Sequence, residues 1–280
     1  MNHKHHHIIA LLLGAGLLGL SGIASAAITN SKHDLSSANT TAGVNKVSDT
    51  AETCVFCHTP HAAAGNTVPL WNKQLTSSAG YTPYSSTTMD GTADFNSSTS
   101  MACLSCHDGT QAMDNIVNAS GSGNYNATGG GTNGLGYTWS GTTVDATGKL
   151  VTTALTNLST NLGDDHPVAI PYGGGGVTIA TPTAAPTDPD FRKVGDTVTL
   201  NAVTYTMKNA AIGGQTVIWF DSGVNNTRID STEIRLYTVA GKANPQVECA
   251  SCHDPHKGEN PTFLRIANTQ SAVCVTCHVK

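Results

Sequence analysis

Outside four short segments this 280-residue chain has no cysteine, and it is poor in aromatic residues (5%) and charged residues (12%). So thin a supply of large apolar side chains is little for an ordinary globular domain of this length. No apolar run follows residue 23, so nothing past the leader reads as a membrane span. There is no basic stripe for nucleic acid and no basic amphipathic helix for a membrane surface. The glycine runs at Gly129–Gly131 and Gly173–Gly176 are not followed by the Gly-Lys-Ser/Thr of a phosphate loop. They read as breakers in irregular backbone.

What is present is concentrated. All eight cysteines fall in four copies of CxxCH: Cys54, Cys57 and His58; Cys103, Cys106 and His107; Cys249, Cys252 and His253; Cys274, Cys277 and His278. Four disulfides would use the cysteines but give no reason for a histidine after every second one. A zinc ribbon over Cys249–Cys277 leaves the same repetition unexplained. The pattern fits covalent haem attachment, with two thiols joined to the macrocycle and the adjacent imidazole placed on the iron. Four haem c groups are expected, with His58, His107, His253 and His278 as proximal ligands.

Residues 1–26 read as a secretory leader. A polar start with Lys4 precedes an interrupted apolar run and the small-residue site Ala24-Ser25-Ala26. Without a twin arginine or a cysteine near the cleavage site, Sec export without a lipid anchor is expected. The cluster His3, His5, His6 and His7 lies in the leader and receives no function.

Each haem iron has a second axial position. Beyond the leader and the motifs exactly four histidines remain: His33, His61, His166 and His256. This match in number predicts bis-histidine ligation, with Met89, Met101, Met113 and Met207 as the rival set. His61 (CVFCHTPH) and His256 (CASCHDPH) follow their proximal histidines by three residues, across Pro60 and Pro255. That spacing is too short to pass around the macrocycle, so each is expected to serve another haem. The simplest assignment gives His61 to the Cys103/Cys106 haem and His256 to the Cys274/Cys277 haem.

Cys249–His278 resembles the doubled CXXCH motif of multihaem cytochromes, and Cys54–His107 a longer version of it. With Asp165-His166-Pro167 and the early His33, the chain resembles the outer-surface cytochromes of the OmcE and OmcS type that polymerise into conductive filaments. The resemblance implies a histidine near the mature N-terminus that ligates a haem of the neighbouring subunit. On that basis His33 is expected to reach the Cys249/Cys252 haem of the next protomer, and His166 the Cys54/Cys57 haem of its own chain. The reverse assignment stays open.

The expected fold is a haem-templated multihaem cytochrome c, mostly coil, with short helices at the CxxCH sites such as 100–107 and 271–278. A few strands or hairpins are expected in the 190–240 region, over 197–207, 215–221 and 232–238. The divisions are the leader (1–26), an N-terminal dihaem module (27–110), a Gly/Ser/Thr-rich and β-rich insertion (111–245) and a C-terminal dihaem module (246–280). The expected role is electron transfer in an extracellular filament, with other copies of the chain, redox proteins and extracellular acceptors as partners. A soluble monomeric periplasmic carrier is the alternative. An enzyme would need an open iron position, and the histidine count leaves none.

Overall fold

The computed structural model describes residues 28–63, 68–121, 124–127, 129–224 and 229–279. The leader, with its histidine cluster, lies outside the described residues. Among those described, regular structure is sparse, as the glycine and proline content dictates. Among the described residues three short α-helices are present: α1 Ser100–His107, α2 Cys249–Cys252 and α3 Ala272–Cys277. The first motif sits on a 3-10 turn, Thr53–Phe56. Each attachment site is thus a helical turn, which brings two cysteines three residues apart to one face.

The ten strands are β1 Lys46–Val47, β2 Thr82–Pro83, β3 Trp139–Ser140, β4 Asn161–Leu162, β5 Ile170–Pro171, β6 Thr197–Leu200, β7 Val203–Ile212, β8 Gln215–Asp221, β9 Arg235–Leu236 and β10 Gln246–Val247. Six of them are two-residue pairings that staple loops together: β1 with β3 and β5 with β10 antiparallel, and β2 with β4 parallel. The larger sheet is antiparallel in the order β6-β7-β8-β9.

The run expected over 197–207 as one strand is two. It turns back at Asn201–Ala202, where both residues have positive φ (50° and 65°). This two-residue left-handed turn matches the twist of a hairpin, and the next one uses Gly213–Gly214 in the same way. No glycine marked the first turn, so sequence alternation ran through it. Ala202→Gly removes a Cβ from a left-handed position and is expected to stabilise the protein by about 0.5–1 kcal/mol, read as a raised thermal midpoint.

Three apolar clusters bind loops, sheet and haem motifs together. One face of the sheet, with Tyr205, Met207, Ile218, Phe220 and Leu236, packs on Tyr172, Val177, Ile266 and Ala272, with Cys277 at its edge. A second cluster joins Leu35, Val47 and Phe56 to Met113, Ile116 and Leu150, with Cys57 and Cys106 against it. A third holds Met101 and Leu104 of α1 against Tyr81, Phe95 and Leu162. Residues 111–150 therefore share a core with the first motif, and the sheet shares one with the fourth. No helix among the described residues is long and apolar enough to cross a membrane.

Candidate haem sites

The four motifs are neighbours in space in the order in which they occur in the chain. Cys57 and Cys106 pack on one cluster, and burial, with Cys106 nearby, pushes the Cys57 thiol up to about 12. Between the second and third sites the Cys103 and Cys249 side chains interact, which raises the Cys103 thiol and lowers that of Cys249. At the third and fourth sites burial, then Cys249 and Cys274, pushes Cys252 up to about 11. None of the eight cysteines is paired in a disulfide. Among the described residues no three His, Cys, Asp or Glu side chains converge on a bare metal ion.

The proximal imidazoles are held by their Nδ1 atoms. His58 meets the Pro69 carbonyl at 3.0 Å, His107 that of Thr156 at 2.8 Å and His253 that of Thr262 at 2.7 Å. A carbonyl can only accept, so each Nδ1 carries the proton and donates it. Each Nε2 then keeps its lone pair for a metal, the usual outer-shell arrangement of a ligating histidine. His166 makes the same bond to the Pro167 carbonyl at 3.0 Å.

Two spare histidines lie close to proximal ones. The His58 and His256 rings have centroids 6.0 Å apart and lie near parallel, at 19°. Those of His33 and His107 are 6.1 Å apart and near perpendicular, at 87°. One iron with an imidazole on each face needs about 6 Å between ring centres, from two metal–nitrogen bonds of about 2 Å and the ring radii. The residues present fit haem iron at the first and second sites on this measure. Burial, then His107, brings the His33 imidazole down to about 4, so it is neutral with a free lone pair.

These neighbours are not the expected ligand pairs: His256 lies beside the first motif's His58, and His33 beside His107. Sequence adjacency misled because the loop after the third motif folds back over the first two sites. Phe263 of that loop stacks on His33 at 4.3 Å, and the Pro255 carbonyl lies close to the same ring. His61 is exposed, with its backbone carbonyl held by Asn118 Nδ2. His166 lines a largely apolar cleft of about 370 Å³ together with Cys252, His253, Cys277, His278 and Phe191. It therefore shares a cavity with both the third and fourth motifs.

Aromatic residues at the sites carried no recognisable signal except their rarity. The chain has three Trp and five Phe. Trp71 stands edge-on to His58 at 6.0 Å, and Phe191 lies on His278 at 4.2 Å. With Phe263, they restrict imidazole orientation where a ring plane decides orbital overlap with iron.

The few charges are also spent near the motifs. Lys73 is fully buried and donates to the carbonyls of Ala112 and Met113 at 2.9 and 3.2 Å, tying the loop after the first motif to the loop after the second. Arg265, 2% exposed, donates from Nε to the Ala250 carbonyl at 3.0 Å and pairs with Asp254 at 3.2 Å. Just past the second motif, Tyr81 donates to the buried Asp108 carboxylate at 2.6 Å. Tyr81→Phe removes a charge-assisted bond from a group that cannot reach water, and is expected to cost about 2 kcal/mol in denaturant unfolding of the haem-loaded protein.

Residues 242–280, carrying the third and fourth motifs, match the family model for the doubled CXXCH motif. No curated protein matches the chain significantly. The matched segment indicates covalently bound haem c and supports a multihaem c-type cytochrome.

Proposed function

We propose that this chain is a protomer of an extracellular cytochrome filament, in which four bis-histidine haems carry respiratory electrons to extracellular acceptors. The observation that carries this reading is a mismatch in the placing of the spare histidines. His256 and His33 are close to the first two proximal ligands, and His166 sits in the cleft of the third and fourth. Among the described residues that cleft is lined by two proximal histidines, His253 and His278, and one spare histidine, His166. One histidine, His61, is left exposed, three residues beyond the first motif and so at the other end of the spatial series. Leu70, 53% exposed, is close in sequence to it. A donor at one end and a site to receive it at the other would make a head-to-tail contact, which builds a filament when its rotation does not close into a ring. We assign His166 to the third site and His61 of a neighbouring copy to the fourth, the terminal one.

Haem iron supplies one-electron redox chemistry without binding a substrate when both axial positions are taken. The chain's own residues do the rest. The carbonyls of Pro69, Thr156 and Thr262 fix tautomer and ring direction, raising ligand basicity and lowering the potential. The helical attachment turns set the spacing between consecutive sites, and apolar walls such as Leu104, Leu236 and Leu264 keep water from the third and fourth. With every iron capped in the assembly, no position is open for a reacting substrate, so the role is transfer rather than catalysis. Export rests on the leader alone.

Electron microscopy of haem-staining material sheared from the surface of the native host tests this reading. Thin filaments whose reconstruction bonds His61 to the fourth iron of the next protomer are expected. Dispersed particles, with the haem protein recovered from the periplasm, would make the chain a soluble carrier.

A further inference from the structure

The junction between the second and third attachment sites is built around one carboxylate. Glu248, 1% exposed, is the residue before Cys249 and caps α2. Its Oε2 accepts from Ser98 Oγ at 2.5 Å, Ser100 Oγ at 2.5 Å and Ser100 N at 3.1 Å, all at the start of α1. Ser100 Oγ in turn accepts from the backbone N–H of Cys249 at 2.9 Å, and Ser251 Oγ from that of Glu248 at 3.0 Å. Ser98, Ser100 and Ser251 are buried, and no cation forms an ion pair with Glu248 among the described residues. Burial raises the Glu248 carboxyl, against which these serine bonds act.

A buried carboxylate is costly, and the cation that acts on Glu248, Lys242, is itself paired with Asp94. What Glu248 does that no apolar residue could is bind two helices from distant parts of the chain at once. We propose that Glu248 is a positioning residue for electron transfer: its carboxylate locks α1 to α2 and so fixes the separation and tilt of the second and third haems. Ser98 and Ser100 are the other half of the lock, and the Cys103–Cys249 contact is its result. Fixed geometry between two reacting groups is where small displacements cost most in rate. The inference rests on haem being carried at these sites.

The test uses haem-loaded protein matured in a cytochrome c-producing host. Haem number per chain by intact mass tests the underlying reading separately from the lock: fewer than four in the wild type would count against that reading alone. Exchange between the second and third haems is then followed by two-dimensional exchange NMR on partly reduced protein. Glu248→Ala is expected to slow that exchange by about tenfold or more while leaving exchange between the first and second haems unchanged. Glu248→Gln can present its amide oxygen to the three serine donors and its NH2 at the Oε1 position, which has no partner. It is expected to retain exchange near the wild-type rate. A general loss of stability would not single out one pair of haems. Wild-type exchange in a fully loaded Glu248→Ala protein overturns the proposal. Should that variant fail to mature, the Ser98→Ala/Ser100→Ala double variant attacks the lock from the α1 side, and wild-type exchange there overturns it equally.

Discussion

His61→Ala is expected to give a chain that still carries four haems, one of them high-spin, and that no longer polymerises. Attachment is covalent through the cysteines, so loss of a distal imidazole leaves haem content unchanged. His58 and His256, and His33 and His107, are neighbours within the chain, so on the proposed pairing their irons would keep both ligands. On the proposed assignment the fourth iron would lose the imidazole supplied by the neighbouring copy and would bind cyanide when ferric. Removing a metal–ligand bond from every protomer contact should weaken association by about a hundredfold or more. The checks are a ferric high-spin signal amounting to one haem per chain, and sedimentation as monomer. His61→Met is a sharper variant: methionine can ligate, and histidine–methionine iron has a higher potential than bis-histidine iron. Partial recovery of assembly with one haem shifted upward would identify His61 as a ligand rather than a packing residue. Intact filaments and four low-spin haems in His61→Ala would show that the intersubunit assignment is wrong.

The other large effect is expected at the second site. α1 is shared between two cores, Met101 and Leu104 packing into one and Cys106 against the other. It is also clamped to α2 through Ser100. Cys103→Ser/Cys106→Ser should leave three haems and a gap in the middle of the series. Electrons entering at the first site then lack the intervening haem and must cross directly to the third, whose following loop brings His256 beside His58. Passage to the third site should slow, seen in stopped-flow reduction as a fast phase confined to one end. Loss of the buried macrocycle and its two anchors should also lower stability by about 3 kcal/mol or more. The matching change at Cys274 and Cys277 removes a terminal haem and should leave passage among the first three intact. Equal internal transfer in both variants would refute the serial order of sites.

Features fixed by neighbouring residues were legible beforehand. The helix expected over 100–107 is α1, with the same bounds, and the one expected over 271–278 is α3, shorter by a residue at each end. The strand at 215–221 is β8 as expected. The 197–207 run failed because its turn is Asn-Ala, whose left-handed conformation is enforced by the strands around it rather than announced by glycine. At 232–238 only Arg235 and Leu236 join the ladder. Glu233 at its start points its carboxylate to Ser222 and Asp230 instead. The Glu248 lock was invisible, since a lone glutamate before a motif looks like any surface charge until Ser98 and Ser100 arrive from far away in the chain.

By itself the sequence located the four CxxCH segments and the histidines outside them, because those properties belong to five-residue segments and to a count. Only the tertiary structure decided which spare histidine faces which proximal one, the spatial order of the sites, and that His61 is left outward. Ligand pairing is a through-space property about 6 Å wide, and the loop after the third motif crosses back to supply it. Spacing along the chain holds no record of that return.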